Sequence, residues 1–207
     1  MRHDRKRGRP KSGFSRRDFI KGSGAAAAAT ALATGPGLAT AQAGGVQVAG
    51  PGKTTIALLV NGQQHSVTVE PRMTLLEVLR YQLKLTGAKP ISTAGSSGGS
   101  TVFVDDKPVA ASTTLAMQCV GKKIQTIESF SAAEPDPVAA AFVHADAQQC
   151  GFCTPGFVMA VRAFVNKNPQ ATEAEIREGL NGNLCRCGTY ANIVQAAVEV
   201  VKGGSRG

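Results

Sequence analysis

Four of the five cysteines in this 207-residue chain fall into one pattern. Cys150 and Cys153 are spaced C-x2-C, and Cys185 and Cys187 follow after thirty-one residues as C-x-C. Two close thiol pairs brought together by folding make a four-thiolate site. Such a site holds a structural zinc ion or an iron–sulfur cluster. In an oxidising compartment the same thiols could instead close two disulfides. C-x2-C supplies half of a zinc site, C-x-C is less usual there, and spacing alone leaves zinc and cluster open.

The elements around the cysteines aim backbone charge at them. Thr154-Pro155 reads as an N-cap with proline at the first helical position, directly after Cys153. Thr189 reads as the cap of a last helix, just after Cys187. Both helices would start at the site, so unpaired N–H groups and the positive dipole end would face the thiolates. Gly151 and Gly188 would let the backbone approach sulfur, and Arg186 adds positive charge. Such groups favour the reduced state of a cluster.

Stepping along the chain, residues 1–43 read as a twin-arginine signal peptide. Ser15-Arg16-Arg17-Asp18-Phe19-Ile20-Lys21 follows a basic segment. An alanine-rich apolar run comes next, then the small-x-small pattern Ala41-Gln42-Ala43. The apolar run is too short and too weakly hydrophobic for a membrane span. The leader carries nine Lys or Arg and two Asp, so most of the net charge of +9 belongs to it. The remainder is near neutral, which removes charge as an argument for nucleic-acid binding.

Residues 44–53 form a Gly/Pro linker. Residues 54–130 carry mixed patterns. Two β-rich runs, 56–60 and 65–69, meet at Asn61-Gly62, a hairpin signal. Thr74-x-x-Glu77 is a capping box opening a helix with Leu75, Leu76, Val78, Leu79 and Leu83 inward. A Gly/Ser loop spans 91–100. Residues 101–104 and 123–127 read as strands, and Asp105-Asp106-Lys107-Pro108 as a turn.

Residues 131–207 read as about four helices. The first opens at Glu134-Pro135-Asp136-Pro137 and runs toward Gln149. The second carries Phe157, Val161, Phe164 and Val165 on its apolar face and stops at Asn168-Pro169. Thr172-x-x-Glu175 is another capping box. The last helix buries Ile193, Val194, Ala197, Val198 and Val201. The expected fold class is α+β. Cys119 reads as a small buried hydrophobe and His144 as structural.

The segments 149–156 (QCGFCTPG) and 182–190 (GNLCRCGTY) resemble the helical cluster domain of the molybdenum hydroxylases, the xanthine dehydrogenase and aldehyde oxidoreductase family. The resemblance is to its small iron–sulfur subunit and runs from about Thr54 to about Gly203. It implies a β-grasp domain like plant-type ferredoxin over 54–130, then a helical 2Fe-2S domain over 131–207. It implies Cys150, Cys153, Cys185 and Cys187 as cluster ligands, and Gln149 against the molybdenum pterin of a large partner subunit. Electrons would leave through a flavin subunit or an external acceptor. The leader resembles that of periplasmic aldehyde-oxidising members and implies the periplasm. The chain offers no nucleophile, general base or substrate pocket of its own.

The resemblance also implies a second cluster, on plant-type C-x4-C-x2-C spacing with a fourth ligand later. The matching positions here are Ser92, Ser97, Ser100 and Ser112. Serine ionises far less readily than cysteine and is a harder ligand. One cluster per chain is therefore expected. The competing reading is a non-redox module stabilised by zinc or disulfides.

Overall fold

The computed structural model describes residues 50–131 and 136–204. The leader, the first part of the linker, and Glu134-Pro135 lie outside the described residues. None of the described helices is long and apolar enough to cross a membrane.

Strands β1 (Thr54–Val60) and β2 (Gln63–Val69) form the expected antiparallel hairpin, in register from Thr54 opposite Val69 to Val60 opposite Gln63. Asn61 and Gly62 take φ of 50° and 80°, as a two-residue turn between twisted strands requires. Both strands run longer than their apolar cores, because backbone pairing continues through Gln63 and Gln64. Leu58, Val60, Val67 and Val69 alternate inward.

Helix α1 (Leu75–Glu77) opens on the expected box. Thr74 Oγ1 accepts the Glu77 N–H at 3.3 Å, and Glu77 Oε2 accepts the Thr74 N–H at 2.7 Å. It continues through Val78–Gln82 as a wider π-turn, closed by the Leu83 N–H on the Val78 carbonyl. The Arg80 guanidinium donates to the carbonyls of Thr86 and Ala88, which ties down the chain leaving the helix.

Strands β3 (Thr101–Val104), β4 (Lys107–Ala110) and β5 (Lys123–Gln125) complete a mixed sheet of order β2-β1-β5-β3-β4. β5 lies parallel to β1 and antiparallel to β3. The turn expected over residues 105–108 is shorter. Asp105 and Asp106 alone reverse the chain, both at positive φ, and Lys107 begins β4. Pro108 is tolerated because β4 is an edge strand and its missing N–H breaks no central ladder. The strand expected over 123–127 stops at Gln125, and a 3-10 turn covers Ile127–Ser131.

Four helices follow: α2 (Pro137–His144), α3 (Thr154–Lys167), α4 (Glu173–Gly179) and α5 (Tyr190–Gly204). Asp136 caps α2 by accepting the Val138 and Ala139 N–H groups, and it also pairs with Arg162. α2 ends well before Gln149. Asp146 turns to φ 47°, and Asn192 Nδ2 donates to the Ala145 carbonyl at 2.8 Å. Thr172 and Glu175 form the box expected at α4. Thr154 does not cap α3: Cys153 holds the cap position, and the buried Thr154 hydroxyl has no partner among the described residues. The fold class is α+β.

Two apolar clusters result. One unites the sheet with α1 around Leu58, Leu75, Leu79, Val102 and Ile124. The other unites the helices around Phe142, Phe157, Val161, Ile176 and Ile193. Phe157 is 1% exposed and meets Tyr190 edge-to-face at 6.2 Å. Phe157→Ala is expected to cost about 3–5 kcal/mol, from lost burial plus the cavity left behind. The urea midpoint of the purified variant measures it.

Candidate metal centre

All four patterned cysteines lie where helices begin or loops turn, and all are free thiols. Cys150 and Gly151 follow the exit from α2, with Gly151 at φ 75°. Cys153 caps α3, whose fourteen residues point their N-terminus at the site. Cys185 and Cys187 occupy the turn before α5, and Gly188 takes φ 83°. Two helix dipoles therefore offset the negative charge of thiolates here, as the sequence suggested. Cys185 is buried, Cys153 half-buried, and Cys150 and Cys187 exposed. Gln149 is exposed beside Cys150, and Arg186 is exposed between Cys185 and Cys187.

The thiols lie near enough to shift one another's ionisation, Cys150 with Cys187 and Cys153 with Cys185. Burial would raise the Cys185 thiol, but bonds from the Thr189 side chain and backbone, from Cys153 and from the Gly188 N–H outweigh it. They bring Cys185 down to about 7. Its partner Cys153 is pushed up to about 12, first by burial, then by the bond to Cys185 and the nearby thiolate charges. Cys150 is lowered, chiefly by the Phe152 backbone N–H and then by Cys187. Cys187 receives the Cys150 backbone N–H, which favours its thiolate. The side-chain bond to Cys150, burial and neighbouring charge still leave it raised.

Four thiols gathered at two helix N-termini are the donor set that a 2Fe-2S cluster takes, and the residues present fit that group.

The surroundings hold groups that sequence reasoning missed. Thr189 spends its hydroxyl on Cys185 Sγ at 3.3 Å. The Tyr190 hydroxyl accepts the Cys185 N–H at 2.8 Å. Only the nearness of these side chains to Cys185 in sequence hinted at either bond. Cys119 lies in the sheet cluster, 1% exposed, its thiol directed at the Leu115 carbonyl and raised by burial. His144 Nδ1 meets Glu199 Oε2 at 2.9 Å on the surface.

The four serines form no comparable site. Ser100 Oγ donates to Ser112 Oγ at 3.0 Å. Ser92 turns instead to Ser96 Oγ at 3.0 Å, and the Ser97 hydroxyl accepts the Gly99 N–H at 3.5 Å. Two of the four meet, and their hydroxyls are used in hydrogen bonds within the loop.

The comparisons with known proteins agree with this chemistry. A family described as a 2Fe-2S binding domain matches residues 126–198, and a twin-arginine translocation signal matches residues 13–33. The chain is 40% identical over 147 residues to the nicotine 6-hydroxylase small subunit of Paenarthrobacter nicotinovorans, covering 71% of this chain and 89% of that one. It is 38% identical over 208 residues to the aldehyde oxidoreductase iron-sulfur-binding subunit of Escherichia coli K12, covering 92% and 89%. The crystal structure of quinoline 2-oxidoreductase from Pseudomonas putida 86 aligns with TM-score 0.70 at 35% identity, over 75% of this chain and 98% of that one. The chain belongs to the small iron–sulfur subunits of the molybdenum hydroxylases, the xanthine dehydrogenase and aldehyde oxidoreductase family. Members of this class serve oxidoreductases as electron-transfer subunits, and this chain carries an export signal of the twin-arginine type.

Proposed function

We propose that this chain carries a single 2Fe-2S cluster, bound by Cys150, Cys153, Cys185 and Cys187, and relays electrons for a molybdenum hydroxylase in the periplasm. Residues 54–130 act as a β-grasp domain whose own cluster site is empty, and residues 131–207 as the helical cluster domain. The cluster, when bound, accepts and passes one electron at a time. Cys150 and Cys187, exposed together, face a large molybdenum-binding partner, and exposed Gln149 contacts its pterin. A flavin subunit or an external acceptor takes the electrons onward. Aldehydes and N-heterocycles are the substrate class, in keeping with the nicotine, quinoline and aldehyde named for its relatives.

The observation that carries this reading is the gathering of four free thiols at the N-termini of two helices. The chain's own groups then tune the centre. Thr189 Oγ1 hydrogen-bonds Cys185 Sγ and stabilises negative charge on sulfur, which raises the potential relative to a bare thiolate set.

The test is spectroscopic. The exported protein, purified with whatever subunits accompany it, is expected to be brown and to bleach with dithionite. A large molybdenum-binding chain should co-purify. A colourless protein containing zinc would overturn the redox reading.

A further inference from the structure

A loop made of Ser, Gly, Thr and Ala has little to bury and should lie on the surface. The stretch Ser97, Gly98, Gly99 and Ser100 is buried instead. Its own fold is closed by hydroxyls. Ser100 Oγ donates to Ser112 Oγ at 3.0 Å, and the Ser112 N–H donates back to Ser100 Oγ at 3.3 Å. The Ala111 N–H adds a bond to the Ser100 carbonyl at 3.0 Å.

Both arms of the inner thiol pair rest on this loop. On the Cys185 side, the Leu184 N–H donates to the Ser97 carbonyl at 3.0 Å. The Asn183 amide, 8% exposed, donates to the Gly98 carbonyl at 3.3 Å. On the Cys153 side, Gly156 in the first turn of α3 lies against that same Gly98 carbonyl, so close that a Cβ at 156 would collide with it. Gly98 takes φ 69°, and a Cβ there would strike the Asn183 amide. Ser97 and Gly98 thus form one seat for the segments that carry Cys153 and Cys185.

We infer that the serine loop is a buttress for the remaining metal centre, with Asn183 as the positioning residue that couples it to Cys185. The inference rests on the cluster assignment proposed above. The Ser100–Ser112 bond takes the place of metal in closing the loop. The loop in turn fixes the spacing between Cys153 and Cys185.

The experiment compares Asn183→Ala and Ser100→Ala with the wild type, each purified with its accompanying subunits. Backbone amide exchange at Leu184 and the EPR spectrum of the dithionite-reduced centre are read together. Both variants are expected to speed Leu184 exchange about tenfold, as loss of a local hydrogen bond does, and to change the g-values. Ser112→Thr, which keeps a hydroxyl, should match the wild type in both. Wild-type exchange and an unaltered spectrum in both alanine variants would overturn the buttress, even if their denaturation midpoints fell. A wild type without iron would overturn the cluster assignment instead. Leu184 exchange compared between iron-free wild type and iron-free variants still decides whether the loop holds this segment.

Discussion

Cys185→Ala is expected to bring the iron content from about two per chain to near zero and to abolish the visible charge-transfer bands. Cys185 is the most buried of the four thiols, and it collects more hydrogen bonds than its neighbours. Its loss would leave a bound cluster one thiolate short of four. Changes outside the ligand shell typically cost about 10–100-fold in metal affinity, and loss of a ligand should exceed that. Substrate-driven reduction of an acceptor should fall at least as far. Cys119→Ala is the control. That thiol belongs to the sheet cluster, so the variant should keep its iron and lose only modest stability. Equal iron loss in both variants would mean general unfolding and not loss of a ligand.

The second large effect runs the other way. Restoring cysteine at Ser92, Ser97, Ser100 and Ser112 together is expected to raise iron from about two to about four per chain. Thiols ionise near neutral pH and are soft ligands, whereas serine hydroxyls are neither. The loop is already closed, with residues 100 and 112 in contact and residues 97 and 100 buried. Ser92 must also turn from its bond to Ser96. Iron content after reconstitution, with the midpoint of unfolding as a check on folding, measures the outcome. A folded quadruple variant that stays at two irons would show that the serines do not occupy a cluster register.

Local chemistry was legible where a few neighbouring residues decide the structure. Asn61-Gly62 specifies its hairpin, and the Thr74 and Thr172 boxes specify their helix starts. The two cysteine pairs announce a thiolate site, and the helices flanking them were placed correctly to within a turn. What misled was local signal overruled by neighbours. Pro108 looked like turn punctuation, yet an edge strand has room for it. Thr154 looked like a cap, but the helix begins one residue earlier than that role allows. Helix α2 stops at His144, and Asn192, distant in sequence, donates to the Ala145 and Asp146 carbonyls just beyond it. The seat at Ser97 and Gly98 was out of reach for the same reason. It joins Asn183 to Gly98, 85 positions away, through one side-chain amide, and Leu184 to Ser97 through one backbone N–H. No periodicity or motif encodes such a contact.

One cluster, held by four thiolates, is the redox station proposed for this chain. Iron analysis with EPR spin quantitation on the reduced wild-type protein tests that most directly. About two irons per chain and one spin per chain in a single 2Fe-2S signal are expected. About four irons with two overlapping signals would contradict the empty serine site, and zinc in place of iron would contradict the cluster itself.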